Sequence, residues 1–216
     1  MNLLRFSVML TVTATAVVFL TACGGLLPKP AAAPTLYALE APTARPASTA
    51  EGSMPLTIVV SPPRAAAGYD SARIVYQREP HRLEHFAHSD WVDTPARMLA
   101  PLIVAALDAS GAFRAVVSAP GPVAGEWRLD TEILRLQQDF GSVPSQARFT
   151  LRATLVDSAT RRVLAWREFD TAAASPSDNP AGGVQAANRA VQAALGSMAG
   201  FCAEAARSGP PPGPKP

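Results

Sequence analysis

Proline fixes φ and removes a backbone donor, so its distribution decides where a chain can hold continuous helices or sheet ladders. Of the 21 prolines here, eight fall between Pro28 and Pro63 and five in the last seven residues. That leaves eight for the whole stretch from Arg64 to Gly209, where a folded body has to be built. Pro28 to Pro34 reads as a stiff tether. The 11 residues from Gly24 to Pro34 reach about 35 Å if they take polyproline-like geometry. Gly209 to Pro216 has the composition of a disordered tail.

Apolar residues make up 48% of the 216-residue chain and charged residues 17%, too hydrophobic and too weakly charged for disorder throughout. The length fits one domain with appendages. The formal charge is only +2, and no run of Lys or Arg occurs, since 17 of the 19 basic residues are dispersed arginines. Nucleic-acid binding through counterion release requires clustered charge and is not expected.

Inside the body, hydrophobic periods of 2 and of about 3.6 alternate. Thr35–Leu39 reads as a short strand, followed by a flexible insert over 41–54. The compact β-branched run Leu56–Val60 reads as a buried strand closed by Pro62-Pro63. Ile74–Tyr76 and Leu83–Ala87 look like two shorter strands at an edge. A helix then starts at Asp93-Thr94-Pro95, carries Met98, Leu99, Leu102, Ile103, Ala106 and Leu107 on one face, and stops at Ser110-Gly111. Phe113–Val117 reads as a strand. From Trp127 the chain alternates, with Trp127, Leu129, Thr131 and Ile133 facing one way and Arg128, Asp130, Glu132 and Leu134 the other. Phe149–Val156 and Val163–Phe169 flank the polar segment Asp157–Arg161 as a hairpin. A last helix from about Gly183 to Arg207 buries a stripe from Val184 to Cys202. The expected fold is a single α/β domain, α+β being the variant, with two long helices on a mixed sheet of six or seven strands.

The N-terminus reads as an address. Arg5 supplies a positive charge, and Phe6–Leu20 is an apolar run too short to span a bilayer but suited to a signal peptide. Leu20-Thr21-Ala22-Cys23-Gly24 resembles the bacterial lipobox, so residues 1–22 are expected to be removed and Cys23 to be acylated, with palmitate among the acyl groups. Several acyl chains on one sulfur-bearing terminus anchor a protein durably. Gly24 after the cysteine fits the outer-membrane sorting pattern. Cys202 is then the one unmodified thiol, so no intrachain disulfide forms, and its place on a helical apolar stripe marks a buried structural cysteine.

His81-Arg82-Leu83-Glu84-His85 matches H-x-x-E-H in letters, and His88 follows. Zinc chemistry needs that motif on a helix with a distant third ligand, whereas Pro80 and a period near 2 point to an edge strand and turn. Arg128, Asp130 and Glu132 share a strand face, which any half-solvated strand produces. Trp91, Trp127 and Trp166 read as core or hinge residues, and Tyr69 in Ala67-Gly68-Tyr69-Asp70 as a turn residue or a loop contact for a ligand or partner. No nucleophile elbow, P-loop or dinucleotide fingerprint occurs. No catalytic residue, metal site or cofactor is expected, and no ligand-binding residue is identified.

The order of these features resembles one family. The lipobox at Cys23, Leu36-Tyr37-Ala38-Leu39, Gly68-Tyr69-Asp70 leading to Arg73–Tyr76, Trp91 before the first helix, Trp127–Asp130 with Gln138-Asp139-Phe140, and the closing hairpin and helix are similar to the ABC-type transport auxiliary lipoproteins. These are the PqiC- and YmbA-like proteins once catalogued as a domain of unknown function. The resemblance covers about residues 20–207. It implies a lipidated N-terminus and tether over 23–34, an auxiliary domain over 35–207 and a tail over 208–216. It further implies a non-enzymatic periplasmic lipoprotein on the outer membrane. Its expected partners are an MCE-domain protein and an inner-membrane permease and ATPase, and its cargo phospholipid or another hydrophobic compound. A lipid-binding or chaperone-like lipoprotein acting alone is the alternative and requires an apolar pocket of about 300 Å³ or more between helix and sheet. A zinc-dependent hydrolase hinging on His81 and His85 is the third reading. Homo-oligomerisation is left open.

Overall fold

The computed structural model describes residues 33–40 and 54–209. The signal peptide, Cys23, most of the 41–54 insert and residues 210–216 lie outside the described residues. A compact unit begins at Pro34. Its elements run β1 (Thr35–Tyr37), β2 (Met54–Val60), β3 (Arg64–Ala65), β4 (Arg73–Glu79), β5 (Arg82–Trp91), α1 (Pro95–Ala109), β6 (Phe113–Ser118), β7 (Trp127–Asp139), β8 (Gln146–Asp157), β9 (Val163–Ala174) and α2 (Pro180–Ser208). The class is mixed α and β, as expected, but the sheet has nine strands rather than six or seven. β2 begins at Met54, the last residue of the expected insert, and Ser208 ends α2 instead of starting the tail.

The sheet is organised around β7. One edge of this strand pairs with β8 along its whole length, antiparallel, from Trp127↔Asp157 to Asp139↔Gln146, and β8 pairs in turn with β9. The other edge is shared by three strands in succession, all parallel to β7. β2 takes Trp127 to Leu129, β3 takes Glu132 and Ile133, and β4 takes Gln138 and Asp139. β6 extends the sheet beyond β2, while β5 and then β1 extend it beyond β4. Ile74–Tyr76 and Leu83–Ala87 therefore belong to a longer hairpin, in which β4 lies between β5 and β7, while Leu83–Ala87 keeps an open edge because β1 covers only Ser89 to Trp91.

The alternation in β7 holds as read: Trp127, Leu129, Thr131 and Ile133 are all buried, and the intervening residues are not. A register shift between Ile133 and Arg135 then inverts the parity, so Leu136 and Gln138 turn inward. Both helices contribute to one core with the inward side of the sheet, in which Phe149, Leu151, Leu155, Ile58, Leu99 and Met198 are essentially fully buried. α2 lies on β8 and β9, and six of its buried positions are alanines from Ala186 to Ala203, so its backbone packs close to the strands. It opens properly: Asn179 Oδ1 accepts from Gly182 N at 2.9 Å, and Pro180 stands where no helical donor is needed. At α1 the Thr94 side chain makes no cap bond, and Asp93 Oδ1 instead accepts from Thr94 N at 2.7 Å.

Candidate functional site

The second face of β7, β8 and β9 carries polar side chains joined into a ladder. Arg128 forks onto Asp130 through Nε at 3.0 Å and Nη2 at 3.0 Å. Arg152 bridges Glu132 at 3.2 Å and Glu168 at 2.7 Å. Arg148 lies 3.8 Å from Asp139 and 3.6 Å from Asp170, and Thr150 Oγ1 donates to Asp170 Oδ1 at 2.8 Å. The carboxylates of Asp130 and Glu132 are thus each held by an arginine.

The same face continues into a network that the sequence pointed to in part. Tyr69 donates its hydroxyl to Gln137 Oε1 at 2.5 Å, and Gln137 Nε2 donates to Gln77 Oε1 at 2.6 Å. Burial raises the Tyr69 pKa above its ordinary value, with Arg135 opposing the shift. Tyr69 is therefore neutral and clamps its loop to β7 and β4; its polar end is spent within the protein. On the inward side Gln138 Nε2 donates to Ser145 Oγ at 2.8 Å, and Ser145 N donates to Asp178 Oδ1 at 2.9 Å. These bonds lock the β7–β8 turn to the start of α2. Gln77 and Gln137 were not singled out in the sequence, and Gln138 entered only through Gln138-Asp139-Phe140 in the family resemblance.

The histidines do not converge. His81 occupies the β4–β5 turn at φ 67°, and His85 and His88 are exposed on β5, which is a strand and not a helix. Among the described residues no group of three or more His, Cys, Asp or Glu is placed to hold a metal ion. Trp91 and Trp127 are core residues at 4% exposure, but Trp166 is 63% exposed on β9, contrary to the expectation of a core or hinge role. β9 pairs on one side only, and alternation places Trp166 outward. Cys202 is fully buried, and that burial pushes its thiol up to about 12.

Among the described residues two surface clefts and one narrow internal gap stand out. The gap between α2 and the sheet lined by Trp91, Leu136, Gln138, Gly183 and Val184 holds about 10 Å³, room for one water. A shallow cleft of about 530 Å³ runs between β1 and α2, lined by Leu36, Tyr37, Val92, Gln185 and Arg189. Asn188 closes its floor by donating to Ala38 O at 3.2 Å and accepting from Glu40 N at 2.7 Å. Another cleft, of about 270 Å³, lies where β2 and β6 end against the first turn of α1, between Pro62, Pro63 and Ala100. An acyl chain needs a deep apolar cavity, and the gap between α2 and the sheet is far too small to be one.

Comparison with known proteins agrees with this picture. The family model described as ABC-type transport auxiliary lipoprotein component matches residues 37–199. Among solved structures, the chain is similar to a protein from Xanthomonas campestris whose family is catalogued as a domain of unknown function. The identity is 25% and the TM-score 0.72, covering 81% of this chain and 97% of that one. It also shares its fold with a hypothetical protein from Chlamydia trachomatis at 9% identity and TM-score 0.52, covering 72% of this chain and 99% of that one. No curated protein matches the chain.

Proposed function

Since the chain belongs to the family of ABC-type transport auxiliary lipoprotein components, we propose that it is a non-enzymatic subunit of a lipid transport system of the bacterial envelope. In this reading acylated Cys23 holds it on the periplasmic face of the outer membrane. Its body works beside an MCE-domain protein and an inner-membrane permease and ATPase that move phospholipid or a similar hydrophobic compound. The observation that carries the reading is the extent of the family match, which runs from the end of β1 into α2 and so takes in the body as a whole.

One feature of the body supports it. The space under α2 is too small for cargo, which favours a docking role over carriage in a private cavity. No described helix is long and apolar enough to cross a membrane, so in this reading attachment is the task of the acylated terminus.

The test is purification of the full-length chain from cross-linked native membranes in detergent, with mass spectrometry of the partners and of the mature N-terminus. An acylated Cys23 together with MCE-domain and ATPase peptides is expected. An acylated chain that repeatedly captures no transport component would refute the transport role, and an unmodified cysteine would refute the anchor.

A further inference from the structure

One end of the sheet gathers the β4–β5 turn, the β7–β8 turn and the β9–α2 loop, because β4 and β7 run parallel and finish side by side. This end has an uncommon surface. The β7–β8 turn, Phe140-Gly141-Ser142-Val143-Pro144-Ser145, contains no charged side chain, and Val143 at its tip is 93% exposed. The turn is held firmly from below, since Phe140 N donates to Gln77 O at 2.8 Å and Ser175 N donates to Ser145 O at 2.7 Å. Beside it Tyr76 and Phe140 stand edge to face at 5.8 Å, with the Arg78 guanidinium 5.1 Å from the centre of the Tyr76 ring. Apolar tip, aromatic base and arginine form the sequence of chemistries met on passing from acyl chains to headgroup phosphates.

Strand polarity says what this end meets. β1 is parallel to β5, with Thr35 beside Ser89 and Tyr37 beside Trp91. β5 starts at the β4–β5 turn, so the backbone enters β1 from the side of that turn. Arg73 pairs with Asp90 and Glu79 with Arg82, and the intervening residues of β4 measure that distance as about 20 Å. The tether from Gly24 to Pro34 reaches about 35 Å when fully extended. A tether of that length is long enough to let this end of the body reach the membrane that holds Cys23.

We infer that the β7–β8 turn, with Val143 at its tip and Arg78 at its base, is a docking surface for the lipid bilayer that carries the anchor. The inference rests on the anchored reading above. A turn this small buries too little to bind lipid alone, and the covalent tether supplies the local concentration that makes a weak contact persistent. The contact fixes the body upright, with the β8–β9 turn pointing away from the membrane.

The experiment uses the full acylated chain reconstituted into phosphatidylethanolamine–phosphatidylglycerol vesicles. An environment-sensitive fluorophore is placed by Val143→Cys in one preparation and by Ala159→Cys, in the exposed β8–β9 turn, in another. Cys202 is buried and stays unlabelled. Flotation reports the anchor, and quenching by phospholipids spin-labelled near the headgroup reports the contact. Flotation with several-fold stronger quenching at position 143 than at 159 is expected. Flotation with equal quenching, or stronger quenching at 159, overturns the docking surface and leaves the anchor standing. A chain that does not float overturns both.

Discussion

Replacing Gly183 by alanine tests how the start of α2 is set. A Cβ there would lie 2.6 Å from Gln138 Cδ and closer still to Oε1. The amide cannot swing aside, because Gln138 is 3% exposed and its Nε2 is bonded to Ser145. Relief needs one of two events. Either that buried bond breaks, at about 1–3 kcal/mol, or the helix shifts, at about the same cost. Alanine returns about 1 kcal/mol through its helical preference. The net loss is about 0–2 kcal/mol, a fall in Tm of up to about 8 °C for a body of this size. Gly196 is the control, since a Cβ there meets nothing within 4 Å. Gly196→Ala should gain about 1 kcal/mol. Urea unfolding followed by circular dichroism measures both as shifts in midpoint at constant slope. In a Gln138→Ala background, Gly183→Ala should turn neutral or stabilising. If Gly183→Ala stabilises the unaltered protein as Gly196→Ala does, the contact does not set the helix and the reasoning is wrong.

Acid should weaken the fold through three carboxylates. Glu126 accepts from Thr57 N, Asp157 from Thr160 N and Asp178 from Ser145, and these hydrogen bonds hold all three below the usual carboxylate range. A depressed pKa stabilises above the unfolded value and is lost as pH falls through the folded one, so urea midpoints should hold near neutrality and decline below about pH 4.5, less steeply in Glu126→Gln. Asp108, exposed near the end of α1 and raised by partial desolvation, opposes this trend. The Cys202 thiol should resist iodoacetamide at pH 8 in the native protein and react fully in denaturant, as read by intact mass. Tyr69→Phe removes one donor to a buried glutamine and should cost about 1 kcal/mol in urea unfolding.

What the letters conveyed depended on how local the cause was. The first half of β7 was legible because Trp127, Leu129, Thr131 and Ile133 alternate without interruption, and the family resemblance was legible because short motifs kept their order. The second half was not, since the irregularity at Leu134 shifts every later side chain to the opposite face and makes Gln138 look like a surface residue. β3 escaped notice because two residues carry no period at all; Arg64 and Ala65 are a strand only because β7 passes beside them. β8 and β9 run longer than expected, as Ala147 and Ala172–Ala174 have little strand preference and extend because their partners do. Tyr69 was read as a turn residue or a loop contact for a ligand or partner, and its hydroxyl is bonded to Gln137 sixty-eight positions away, a pairing no local pattern announces.

The division of one edge of β7 among β2, β3 and β4 makes the strand a spine with two wings. The wing of β2 and β6 and the wing of β4, β5 and β1 share no ladder with each other, and each owes its alignment to its own stretch of the spine. Homologous chains can therefore lengthen, trim or reshape one wing while the other keeps its register, and amide exchange should report the two as separately opening units.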